Sequence, residues 1–134
     1  MSDSSAFGFS VTLDHPITDA RPRVEAALKE QGFGILTEID IKATLKQKLD
    51  IDFSHYEILG ACNPGLAHRA LSIQPDLGLL LPCNVTLHQI DGKTKVSLVD
   101  PIQMLAAAGD NAELADVARE AEAALRRVQS SLQS

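Results

Sequence analysis

Asp91-Gly92 joins two strand-like runs, and this dipeptide constrains the fold more than any other feature of the chain. An Asp-Gly pair supplies the positive-φ positions of a two-residue turn, so the runs on either side pair as antiparallel strands. The run before it, Leu79 to Ile90, is apolar at first and alternates later. Pro82 cannot donate to a strand ladder, which implies an edge or a bulge there. Lys93 to Val99 is the partner strand. Asp100-Pro101 closes it, and Ile102 to Ala108 reads as a helical turn or two.

The rest of the chain supplies three more strands. Phe7, Phe9, Val11 and Leu13 alternate with polar or small residues, a period of two with one buried face. In Phe33 to Ile41, Phe33, Ile35, Thr37 and Ile39 share one face, and Glu38 and Asp40 the other. Tyr56 to Cys62 is the last. Helices lie between them. Thr18 or Asp19 can cap the first, whose inner stripe is Val24, Ala27, Leu28 and Gln31, and Gly32 ends it. Asp40 can cap a short amphipathic helix with Ile41, Leu45 and Leu49 inside and a solvated side carrying Lys42, Lys46 and Lys48. Asn63 caps and Pro64 opens a helix that buries Leu66, Ala67, Ala70 and Leu71 and ends near Gln74-Pro75. A long helix runs from Ala112 to about Leu132, with Leu114, Val117, Ala118, Ala121, Leu125 and Val128 inward.

Five strands and two long helices predict a two-layer α+β sandwich, its mainly antiparallel sheet covered by helices on one face. A length of 134 residues fits a single domain, residues 1–134, with residues 1–5 as a disordered polar tail. By parity the uncovered face takes Ser10, Thr12, Asp14, Glu38, Asp40, Glu57, Asn84, Thr86, His88, Lys95 and Ser97. That face can stay wet, meet a second subunit or bind a ligand.

Charge limits the partners. A net charge of −6 argues against nucleic acid and anionic membranes. No segment approaches the roughly 20 apolar residues of a membrane span, and the first residues lack the pattern of a secretory signal. The expectation is a cytoplasmic protein whose two cysteines are thiols.

Two Cys-Asn pairs are the main chemical candidates. Cys62-Asn63 lies just before a helix N-terminus, a setting that favours a thiolate and can hold an anion. Cys83-Asn84 repeats the pair, with Cys83 on the buried parity of its strand. Adjacent strands can bring Cys62 and Cys83 together as a redox pair. Glu38 and Asp40, with Glu57 alongside, are paired carboxylates of the kind that do acid/base work or hold a cation. Each candidate also has a plain structural reading: core thiols, helix caps and solvated charges. No metal site is expected. Cys83 and His88 are five residues apart on a strand and point to opposite faces, and His68 falls away from the inner stripe of its helix.

The segments GFGILTEIDIKATLKQKLDIDF, YEILGACNPGLAHRAL, LGLLLPCNVTLHQIDG and VSLVDPIQML together resemble the Domain of Unknown Function 302 (DUF 302) family. The match is close over about Gly32 to Leu105. The resemblance implies a small bacterial or archaeal protein with a β-α-β4-α sandwich like the TATA-binding-protein fold, often a dimer. It implies no established activity and no cofactor. Glu38, Asp40, Cys62, Asn63, Cys83 and Asn84 match the family's recurring motif, which makes them site candidates without assigned roles.

Three functions remain open: a homodimeric domain binding a small ligand beside the Cys-Asn pairs, a thiol-dependent enzyme or redox sensor using Cys62 and Cys83, and an interaction module without a ligand.

Overall fold

The structure is a computed structural model, in which residues 2–4 and 7–133 are described. The strands are β1 (Ser2–Ser4), β2 (Gly8–Leu13), β3 (Gly34–Asp40), β4 (Tyr56–Cys62), β5 (Cys83–Ile90) and β6 (Lys93–Val99). They form one antiparallel sheet in the order β1-β2-β6-β5-β4-β3. The helices are α1 (Ile17–Glu30), α2 (Ile41–Leu49), α3 (Pro64–Ile73), α4 (Pro101–Leu105) and α5 (Ala112–Gln133). This is the two-layer α+β sandwich that the alternating runs predict.

The Asp-Gly turn joins β5 to β6, with Asp91 at φ 53° and Gly92 at φ 78°. Its register sets Val85 opposite Leu98 and Leu87 opposite Val96. These residues, with Phe9, Val11 and Leu13 of β2 and Leu59 and Ala61 of β4, form the inner face of the sheet. Val24 and Leu28 of α1 and Leu125 and Val128 of α5 cover it to make the main core. A smaller core lies at one end, where Ala70 of α3, Leu77 and Leu105 of α4 meet Leu114, Val117 and Ala118 of α5. The long helix α5 spans both.

Polar bonds fix the helix layer to the sheet. Gln129 of α5 donates from Nε2 to the Ser10 carbonyl at 2.9 Å, a buried bond. Gln89 of β5 accepts from the Ile17 amide at 2.9 Å. That bond does the work expected of Thr18 or Asp19, since the capping position falls on Pro16, which makes no side-chain cap. The capping side chain thus comes from a residue 72 positions away.

Several expectations need correction. Ser2–Ser4, placed in a disordered tail, form an edge strand against Phe9 to Val11, while Met1 and Ser5 lie outside the described residues. Phe7 precedes β2 and is 83% exposed rather than buried. The strand expected from Leu79 begins at Cys83. Pro75–Leu79 is a 3-10 turn, and Pro82 follows a cis peptide before the strand rather than bulging within it. Of the residues expected inside α3, only Ala70 is fully buried.

The largest correction concerns Glu38, Asp40 and Glu57. A bulge at Leu36 inserts one residue between the pairs Ile35–Ala61 and Thr37–Gly60. An extra residue reverses the side-chain parity beyond it. Glu38 therefore stands opposite Leu59 and Asp40 opposite Glu57, both on the helix-covered side. Glu57 shares parity with the buried Leu59 and Ala61, so it lies on that side too. Thr37 and Ile39 turn to the open face instead, and Leu36 is left 68% exposed.

Gly60 is required by close approach on that open face. A Cβ there would stand 2.8 Å from Pro82 Cγ and would also clash with Thr37 Oγ1. Gly60→Ala is expected to lower stability by about 1–3 kcal/mol, measured as a shift in the denaturant midpoint at unchanged slope.

Candidate functional site

Three of the sequence candidates meet at one end of the sheet. Ala61 pairs with Cys83 across β4 and β5, which brings the next residue, Cys62, beside Cys83. β4 ends at Cys62 and turns into α3, while β5 begins at Cys83 after Pro82. Cys62, Asn63 and Cys83 line one cavity of about 270 Å³. It sits in the seam between the two cores, with Ala61 on one side and Ala70, Leu105 and Val117 on the other. Leu36 and Leu71, both exposed, reach its rim.

The two thiols differ. Cys62 is half-buried, whereas Cys83 is 8% exposed. Burial pushes the Cys83 thiol up to about 11, and the neighbouring Cys62 adds to the shift. Both are free cysteines. At pH 8 a thiol of pKa near 11 is roughly one part in a thousand thiolate, and the thiolate is the nucleophile. A neutral thiol reagent is therefore expected to label Cys62 first in the native protein, with Cys83 at least tenfold slower. Peptide mass spectrometry of a time course reads both rates.

Asn63 is the helix cap that its neighbours imply. Its Oδ1 accepts from the Leu66 amide at 3.2 Å, and Pro64 takes the first helical position. Its Nδ2 also donates to the Gln31 carbonyl at 3.5 Å, which ties the end of α1 to the start of α3. Gly32, at φ 84°, leaves room for that amide.

The other three candidates lie elsewhere. Asn84 faces the open side of the sheet, in a groove of about 310 Å³ with Tyr56, Thr86, Lys95 and Ser97. Asp40 caps α2, accepting from the Ala43 amide at 2.9 Å. Glu38 is bound by Arg21 of α1. Arg21 also donates to Glu57 at 3.1 Å and Glu25 at 2.8 Å, and His55 Nε2 lies 3.0 Å from Glu57. The guanidinium holds the Glu38 carboxyl below the ordinary glutamate range, first through its hydrogen bond and then through charge. Glu38 is thus an ion-pair partner of Arg21, and Asp40 a helix cap.

Arg21 had no signal in the sequence, because the bulge at Leu36 and the α1 packing that give it partners are both long-range. Glu57 is only 13% exposed, so removing Arg21 leaves a carboxylate with little access to water. Arg21→Ala is expected to cost about 1–2 kcal/mol at pH 7, with the exposed Glu38 contributing little. A depressed carboxyl pKa stabilises above the unfolded value and loses that contribution as pH falls. Glu38 is the Arg21 partner whose carboxyl is held low, so only its small share of the Arg21→Ala penalty should fade as pH falls through the carboxylate range. Denaturation curves of both proteins across pH check the sign.

The histidines are separate from the thiols. His68 lines a different cavity beside Arg69 and Asp116. His88 stands on the open face, stacked on Phe53 and hydrogen-bonded to Ser54 at 2.7 Å. Among the described residues, no three His, Cys, Asp or Glu side chains cluster as a metal site. None of the described helices is long and apolar enough to cross a membrane.

Fold and site together define a small α+β sandwich domain with an apolar, thiol-bearing cavity where two sheet strands end. The chain belongs to the DUF302 family, a domain of unknown function, whose model matches residues 9–132. It is similar to a solved structure described as an uncharacterized conserved protein DUF302 from Bacillus stearothermophilus. The two share 29% identity over 95% of this chain and 98% of that one, with a TM-score of 0.86. Comparison with curated proteins gave no match.

Proposed function

We propose that this protein is a binding domain for a small, largely apolar ligand held in the cavity beside Cys62, Asn63 and Cys83. The observation that carries the reading is the cavity wall. Most of it is Leu, Ala, Pro and Met, and the polar atoms of its side chains belong to Asn63 and the two thiols. Apolar walls with a few placed polar groups are the usual form of a ligand site. An apolar cavity of about 150 Å³ holds benzene, so 270 Å³ suits a ligand of roughly ten heavy atoms. Asn84, Glu38 and Asp40 have no part in this site.

One observation favours a second reading, a redox role for the pair. Cys62 and Cys83 share the cavity and sit on neighbouring strands. In that reading Cys62 is the accessible thiol and Cys83 the buried partner. Free thiols also fit the reducing cytoplasm.

A homodimer is part of the leading reading. The sheet face away from α1 and α5 carries Tyr56, Ile58, Thr86 and His88 only partly buried, with Phe53 exposed beside them. This half-apolar face is the surface a second copy would cover.

Native mass spectrometry of untagged protein tests these readings together. The expected spectrum is a dimer carrying extra mass that disappears in Cys62→Ala and Cys83→Ala. A bare protein with two free thiols would overturn ligand binding and favour an interaction module. A loss of two hydrogens after mild oxidation, abolished by either Cys→Ser change, would favour the redox reading, and a monomer would remove the dimer.

A further inference from the structure

Sulfur is scarce in this chain, and among the described residues it gathers in one place. The sequence has two cysteines and two methionines, Cys62, Cys83, Met1 and Met104. Cys62, Cys83 and Met104 all line the cavity described above, although they come from the end of β4, the start of β5 and α4. Along the chain His68 follows Cys62 and His88 follows Cys83. The fold separates both histidines from the thiols and brings a methionine to them instead.

Resting on that cavity as the binding site, we propose that Cys62, Cys83 and Met104 form a site for a soft monovalent metal ion of the Cu(I) class. Donor chemistry selects the ion. Thiolates and thioethers prefer soft cations, whereas carboxylates and carbonyls suit hard ones. The wall holds no carboxylate and no imidazole, and its one amide side chain, Asn63, is engaged as a helix cap. Structural zinc takes four ligands, usually Cys and His. Three sulfurs fall short of that set but satisfy a d10 monovalent ion, which accepts two or three. The apolar surround keeps water from competing as a ligand. Binding exchanges two S–H bonds for two metal–sulfur bonds, with both protons released to solvent and no change in oxidation state. The exposed rim at Leu36 and Leu71 gives a route in.

The test is anaerobic titration of the fully reduced protein with Cu(I) against a chromophoric Cu(I) chelator. The expected result is one Cu(I) per chain. Cys62→Ser and Cys83→Ser should each weaken binding at least a hundredfold. Met104→Leu, which conserves volume, should weaken it about tenfold while leaving the fold intact by circular dichroism. Affinity unchanged in either cysteine variant or in Met104→Leu overturns the three-sulfur site, as does tighter binding of Zn(II) than of Cu(I). A naphthalene-sized fluorescent probe is titrated into the same samples. If the wild type takes the probe but no Cu(I), the metal site fails and the apolar cavity stands. If it takes neither, both fail.

Discussion

The pairing of Ala61 with Cys83 is the contact on which the rest of this molecule depends. It fixes the register of β4 against β5, and through the same ladder it sets Leu59 on Val85 and Glu57 on Leu87. A slip of one residue would carry every inward side chain of β4 to the open face. The same register brings two strand termini together, so the thiols of separate strands line one cavity.

Legibility in the sequence followed the range of the interactions. Local features were readable. Asp91-Gly92 makes its turn, Gly32 ends α1, and Asn63 and Asp40 cap the helices they precede. The layer architecture followed from period and order, and the family from a few dense segments. What the sequence hid was long-range. Nothing marks Leu36 as the extra residue of a bulge, yet that residue moves Glu38 and Asp40 to the other side of the sheet. Nothing in Gln89 announces a helix cap, because its partner lies across the fold. Of the six candidates, the three that come together do so at strand ends, where parity arguments lose their force. Met104 carried no signal, since a lone methionine in an apolar turn looks like core.

Charge is arranged around the packing. Arg21 gathers Glu25, Glu38 and Glu57 where the edge of the sheet meets α1. Glu38, which the bulge turns toward the helix layer, meets a guanidinium there, not water alone. This arrangement accommodates the irregular edge strand at modest cost, because exposed pairs contribute little and only Glu57 is well shielded.

The helix α5 contributes to two cores at once, its first turns to the smaller and its later turns to the larger. The smaller core is held by α3, α4 and one turn of 3-10 helix, with no strand passing through it. Elements with few strand hydrogen bonds open at lower free energy than those within a ladder. The cavity therefore has one wall fixed by the sheet and one able to give way. Loosening of the short helices, like a hinged cover on a rigid plate, would change the size of the cavity while the sheet beneath kept its register.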